Sequence, residues 1–183
     1  LYVMESLEVE NNLKKQMLLQ ISYDEKSPYN INQISKLSES YLKSDFQSSE
    51  VLLLLGNLKM HQRKEDTACF YIRESLKINP LPFEAWTQLI SSTLSRNKLE
   101  ETIKDSKNAI ESHPNQPFLY LALGIALNQK KQFESAIKNL KKGKKLVFNN
   151  SFFSSSILFS FIEASNDILF SRLKSETIVF KEF

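Results

Sequence analysis

Apolar residues recur along this chain at the three- and four-residue spacing of a helix face, and no segment shows the clean alternation of a half-buried strand. Three segments carry the helical pattern most clearly. The first runs from about Ser49 to Ile78 with a break near Gln62 to Asp66, and the second from about Leu81 to Ser112 with a break near Asn97. The third runs from about Asn115 to Leu146 with a break near Lys130. Each predicts two helices joined by a short turn. Upstream, Glu5 to Tyr23 carries Leu13, Met17, Leu18 and Ile21 at helical spacing. Asn32 to Lys43 carries Ile34, Leu37, Tyr41 and Leu42, and the polar stretch Asp24 to Asn30 with Pro28 separates the two. Downstream, Ser151 to Asn166 and Leu169 to Phe183 read as a further pair rich in phenylalanine and serine. The expected organisation is a degenerate helix pair over 1–48, three repeats over 49–148 (49–82, 83–116 and 117–148), and a degenerate, truncated pair over 149–183.

The repeats share a beat. Leu55, Leu89 and Leu123 are spaced 34 residues apart, as are Trp86 and Tyr120, and Pro80 and Pro114. Gly56 and Gly124 lie 68 apart, as do Ala68 and Ala136. Such a period marks an array of helix pairs, each burying its apolar face against its neighbours. The prolines follow the second helix of their pairs, where the helix has already ended. Glycine inside a helix costs about 1 kcal/mol relative to alanine, so Gly56 and Gly124 imply that another helix approaches closely there. Ala68 and Ala136, 12 residues on, are the natural facing positions, with Leu55, Trp86, Leu89, Tyr120 and Leu123 filling the space on either side. The second repeat has Ile90 and Thr102 at these places, which predicts a wider pair.

At these residues the chain resembles the tetratricopeptide repeat (TPR) family, whose unit of about 34 residues sets an aromatic, a Leu-Gly, small residues and a proline at fixed offsets. The third repeat fits best, through Tyr120, Leu123, Gly124, Leu127, Phe133, Ala136, Leu140 and Gly143. The second supplies Trp86, Leu89, Leu99, Ile103, Ala109, Ile110 and Pro114, and the first Leu52, Leu55, Gly56, Ala68, Ile72, Leu76 and Pro80. The resemblance implies an all-α fold, a right-handed α-solenoid of antiparallel helix pairs, and a non-catalytic scaffold or adaptor function.

It also implies where a partner would lie. In the family the first helices of successive repeats line a concave groove that holds a peptide or partner segment. The corresponding positions are Glu50, Leu53, Asn57, Met60 and His61, then Glu84, Thr87, Ser91, Leu94 and Ser95, then Phe118, Leu121, Ile125, Asn128 and Gln129. The first two sets are largely polar and the third apolar, which suits an apolar anchor near Phe118 and Ile125. An alternative is that Phe118, Leu121 and Ile125 are simply covered by the helices that follow. One subclass of the family clamps a terminal carboxylate with basic and amide side chains. Asn57 matches one clamp position, but Leu53, Phe118 and Ala122 stand where basic residues are needed. No carboxylate-clamp chaperone partner is therefore expected, since an apolar lining does not compensate a desolvated carboxylate.

Charge changes this picture little. The formal net charge is +3, a mild excess that demands no anionic partner. Lys138, Lys141, Lys142 and Lys145 nevertheless recur at helical spacing, with Lys130, Lys131 and Lys144 nearby. This basic patch reads as a solvated face or, in a second functional reading, as a contact for nucleic acid or an anionic membrane surface. Aromatic residues interleaved with the lysines, which single-strand binding favours, are missing from the sequence. A third reading makes the array a spacer between other domains.

Candidate chemistry is sparse. The lone Cys69 reads as a small buried hydrophobe. His113 precedes a proline in a loop, and a metal site from His61, Glu65 and Cys69 would need unbroken helix across the expected turn. No phosphate loop, nucleophile elbow or paired metal motif occurs in the sequence, so neither enzyme activity, nor metal, nor cofactor is expected. The richest apolar run, Ile157 to Ile162, falls far short of the roughly 18 residues of a membrane span. A soluble protein is expected, with the cytoplasm favoured. The start at Leu1 without an initiator methionine reads as a fragment or processed chain, which leaves secreted or periplasmic placement open.

Overall fold

The computed structural model describes residues 10–45, 47–149, 163–164 and 166–167. Its helices are α1 (Asn11–Tyr23), α2 (Ile31–Ser44), α3 (Ser49–His61), α4 (Glu65–Ile78), α5 (Phe83–Ser95), α6 (Leu99–Ser112), α7 (Pro117–Gln129) and α8 (Phe133–Asn149). No strand occurs among the described residues. Most of the expected pair at 149–183, and the start of the first expected helix at Glu5, lie outside those residues. The helices α3, α5 and α7 start at 49, 83 and 117 and end at 61, 95 and 129, so backbone and side chains keep the same period.

The turns show the period most sharply. Arg63, Asn97 and Lys131, again 34 apart, are the non-glycine residues with positive φ (57°, 57° and 60°) among the described residues. At each, two hydrogen bonds close the preceding helix. Arg63 N–H donates to Met60 O at 2.9 Å and Lys64 N–H to Lys59 O at 2.9 Å. The Asn97 turn repeats this with Leu94 O and Thr93 O, and the Lys131 turn with Asn128 O and Leu127 O. This is the Schellman arrangement, in which a left-handed residue lets the chain reverse while the last carbonyls of the helix stay bonded.

Two compact units make up the chain, Leu1–Ala85 and Trp86–Phe183. In the first, α2 begins at a reciprocal cap. Asn30 Oδ1 accepts from Gln33 N–H at 3.0 Å, and Gln33 Oε1 accepts from Asn30 N–H at 2.9 Å, a device worth about 1 kcal/mol. Ile34, Leu37, Tyr41 and Leu42 of α2 join Leu18 of α1 and Val51, Leu52, Leu55 and Leu58 of α3 in one core. The apolar positions of α1 divide: Leu18 is fully buried, but Leu13 and Met17 are 49% and 40% exposed, and Lys14 is buried instead. Among the described residues, α1 packs against α2 and α3, and Leu18 is the position that meets their core. The antiparallel pair α3 and α4 is tied by Ser75 Oγ, which donates to Ser49 O at 2.7 Å. Lys59 on α3 is buried and pairs with Glu39 on α2.

In the second unit, α7 packs against both α6 and α8. Leu123 and Leu127 of α7 meet Ala136, Leu140 and Val147 of α8, with Ala164 in the same cluster. Trp86, Leu89, Tyr120 and Ala136 are buried here, as Leu55 and Ala68 are in the first unit. Gly56 lies against Ile72 and Ala68, and Gly124 against Leu140 and Ala136. Ile90 and Thr102 are fully buried at the equivalent places between α5 and α6, where Thr102 Oγ1 lies 3.1 Å from Thr93 Oγ1. The phenol of Tyr120 donates to Pro114 O at 2.8 Å, anchoring α7 to the loop before it.

Candidate functional site

The expected partner-binding residues differ in how far they are exposed. On α3, Leu53, Asn57 and Met60 are half-buried and His61 is exposed. Glu50 is already engaged: Lys15 Nζ of α1 lies 3.4 Å from its Oε1 and Ser48 Oγ 3.3 Å from its Oε2. Its carboxyl is held below the ordinary value, chiefly by its own backbone N–H at the start of α3, with Lys15 adding to the effect. On α5, Thr87 and Leu94 are half-buried while Glu84, Ser91 and Ser95 are exposed. On α7, Phe118, Leu121, Ile125 and Asn128 are half-buried and Gln129 is exposed.

Asn57 Oδ1 and Asn128 Oδ1 are both buried and accept no hydrogen bond. Most buried polar atoms are paired, and leaving one unpaired costs roughly 1 to 3 kcal/mol. Ser35 Oγ, Gln62 Oε1 and Ser106 Oγ share this state, so it is not peculiar to the expected partner-binding positions.

At the α7 end the structure brings together more than the expected residues. Leu121 and Ile125 pack beside the core cluster that contains Ala164. They share a cavity of about 340 Å³ with Asn128, Gln129, Glu163, Ala164 and Asp167. The two apolar side chains are thus flanked by residues near the C-terminus but not fully covered. Glu163 and Asp167 carry no repeat signature, and only their four-residue spacing, one turn of helix, hints that they share a face.

The basic patch is differently placed. Lys138, Lys141, Lys142 and Lys145 are all exposed on α8. Lys142 is committed to an aromatic after all, its Nζ lying 4.7 Å from the centre of the Tyr120 ring, a cation–π contact. That ring is 2% exposed, so it offers no face for a base to stack on. His61 ends α3 and Cys69 lies buried in α4 across the Arg63 turn. No group of histidine, cysteine and carboxylate side chains among the described residues is arranged to hold a metal ion. Among the same residues, no helix is long and apolar enough to cross a membrane.

No family model matches the chain, and no curated protein matches it in sequence. Similarity to solved structures places its fold in the class of TPR-like all-α helical-repeat solenoids. The structures in question are of MamA. A crystal structure of MamA protein is 16% identical with a TM-score of 0.61, over 89% of this chain and 90% of that one. The MamA RS-1 ArsTM double mutant is 15% identical with a TM-score of 0.62, over 90% and 95%. MamA from residue 41 to its end, from Desulfovibrio magneticus RS-1, is 14% identical with a TM-score of 0.58, over 93% and 96%. Identities this low carry the fold and leave function to the chain's own residues.

Proposed function

We propose that the chain is a non-catalytic protein-interaction scaffold whose first-helix faces hold a peptide or partner segment. The observation that carries this reading is the half-buried apolar side chains on first helices, Phe118, Leu121 and Ile125 in the second unit and, separately, Leu53 and Met60 in the first. An extended peptide suits such faces, since its alternate side chains reach apolar seats. The carboxylate-clamp mode is not part of the reading: Leu53 and Phe118 bring no charge, and Ala122 is 1% exposed. Neither metal nor cofactor enters it. The MamA likeness supports it only through the fold, a class that buries its core between repeats and leaves side-chain faces for partners.

Affinity capture from native extract tests it, comparing wild type with a Phe118→Asp, Ile125→Asp variant shown by circular dichroism to keep its helicity. A protein partner retained by the wild type and lost by the variant is the expected result. Identical captures from both would sink the reading.

The second reading, a basic contact for nucleic acid or an anionic membrane, rests on the exposure of Lys138, Lys141, Lys142 and Lys145 along one helix. Phosphate contacts release counterions, so binding of that kind weakens steeply with added salt. Capture that is salt-labile and abolished by Lys138→Glu, Lys141→Glu and Lys145→Glu would favour it over the first.

A further inference from the structure

Lys138, Lys141 and Lys145 have no ion-pair partner among the described residues. Lysines of other helices do: Lys15 pairs with Glu50, Lys59 with Glu39 and Lys77 with Glu74. On α8 Glu134 is the only carboxylate, and Lys142, held over the Tyr120 ring, adds a fourth cation to the same exposed stretch. These lysines stand three and four residues apart, where like charges destabilise a helix. None lies in the last turn of α8, where the helix dipole would offset the repulsion. Four charges over the eight residues 138–145, about 12 Å of helix axis, amount to one per about 3 Å. One strand of a DNA duplex carries a phosphate every ~3.4 Å along its axis.

We propose that this face of α8 lies along the phosphate backbone of duplex DNA and holds it without reading base sequence. The inference rests on the second reading above and commits it to one polyanion. It uses a second helix where the scaffold reading uses first helices, so the two do not compete for residues. A lysine ammonium meets a phosphate as a compact point charge. Base readout needs arginine or amide side chains, and α8 has no arginine or glutamine. Its Asn139 Nδ2 already donates to Ser135 O at 2.8 Å. A single strand would want an aromatic face, and Tyr120 is buried. A bilayer contact is strengthened by apolar side chains that sink among the lipids, but the exposed positions of α8 are all polar. The same lack of an apolar anchor disfavours an acidic protein segment, since lysine is depleted at protein interfaces.

The test is a fluorescence-anisotropy titration of the whole chain with short labelled DNA duplexes of unrelated sequence, over a series of salt concentrations. The duplexes are expected to bind alike. The triple variant Lys138→Gln, Lys141→Gln, Lys145→Gln, shown to stay helical, should bind about tenfold or more weakly and lower the slope of log affinity against log salt by about 3. A control triple, Lys26→Gln, Lys36→Gln, Lys43→Gln, removes the same charge from exposed positions of the first unit and should leave both quantities nearly unchanged. An equal loss from the control triple would reduce the effect to net charge and overturn the proposal, as would duplexes that bind very differently from one another. Phosphatidylcholine vesicles containing phosphatidylserine, and poly-glutamate, serve as competitors at matched anionic charge. If vesicles bind more tightly than duplex through the same three lysines, the DNA assignment ends and the second reading stands. If poly-glutamate does so, or if a fully helical chain binds neither duplex nor vesicle at low salt, both end. The scaffold reading is decided separately, at Phe118 and Ile125.

Discussion

Gly56 and Ile72 are in contact across the first antiparallel pair, so closely that a β-carbon placed on Gly56 would lie 2.6 Å from Ile72 Cγ1. The same β-carbon would meet two backbone atoms, Ile72 N at 3.2 Å and Ala68 O at 3.3 Å. The corresponding contact in the third pair is softer. A β-carbon on Gly124 would lie 2.6 Å from Cγ and Cδ2 of Leu140, but the nearest backbone atom, Ala136 O, stays at an ordinary 3.5 Å.

This difference orders two substitutions. Alanine in place of a helical glycine gains about 1 kcal/mol from propensity, and overpacking costs roughly 1 to 3 kcal/mol. At Gly56 the obstruction is partly backbone and cannot rotate away, so Gly56→Ala is expected to destabilise by about 1 to 2 kcal/mol net. At Gly124 a leucine side chain can shift, so Gly124→Ala should come out near neutral. Thermal melts of the two variants check the order, and a Gly124→Ala variant less stable than Gly56→Ala would contradict it.

The three left-handed turn residues invite the opposite change. A side chain in that region costs on the order of 1 kcal/mol, and glycine pays none of it but is freer in the unfolded chain. Arg63→Gly and Lys131→Gly should each stabilise by roughly 0.5 kcal/mol. Asn97→Gly should gain less, since asparagine tolerates this conformation. Urea midpoints would show the ranking, and a loss of stability at Arg63 or Lys131 would mean that those side chains hold the turn by contacts of their own.

These turns also show what sequence could and could not convey. Their places were legible from the breaks in hydrophobic period, but their conformation was not, because Arg63 and Lys131 are not residues that announce a positive φ. The first and third helix pairs were legible because Gly56 with Ala68, and Gly124 with Ala136, let two backbones come close together. In α1 the period showed a helix and not its inward side. Leu13 and Met17 share the spacing of Leu18, yet only Leu18 has α2 and α3 in front of it. The lining of the α7 cavity was not legible in the repeat pattern, because Glu163 and Asp167 lie beyond the repeats.

Tyr41 gives the fold a dependence on alkaline pH. Its phenol is 1% exposed and donates to Asp45 Oδ2 at 2.8 Å. Burial first, and then the Asp45 carboxylate, push its pKa up to about 12, from an ordinary value of about 10. The folded state therefore favours the neutral phenol. The resulting stabilisation is fully present below about pH 10 and is lost as pH rises toward 12, on the order of 2 kcal/mol in all. Tyr41→Phe keeps the ring and removes the titration. Urea midpoints followed from neutral to alkaline pH should fall more steeply for the wild type than for this variant, and parallel curves would show that Tyr41 titrates as an ordinary exposed phenol.

The second helix pair replaces the small-residue contact with a polar one, and its energetics should show coupling. Thr93 Oγ1 lies 3.1 Å from Ile90 O, and Thr102 Oγ1 lies 3.1 Å from Thr93 Oγ1 and 3.0 Å from Lys98 O. Both residues are fully buried. Thr102→Val keeps the shape but strips Thr93 of its cross-helix partner, at a cost of about 1 kcal/mol. Thr93→Val should cost a similar amount, because each hydroxyl keeps a backbone acceptor on its own side, Thr93 at Ile90 O and Thr102 at Lys98 O. With both hydroxyls removed, no half of the pair is left desolvated and alone, so the double variant should be about 0.5 to 1 kcal/mol more stable than the sum of the singles implies. Denaturant titration of the four proteins in the cycle measures this directly. Strict additivity would mean that the two hydroxyls are satisfied separately by their own helices, and that α5 and α6 are held together by Ile90 and its apolar neighbours alone.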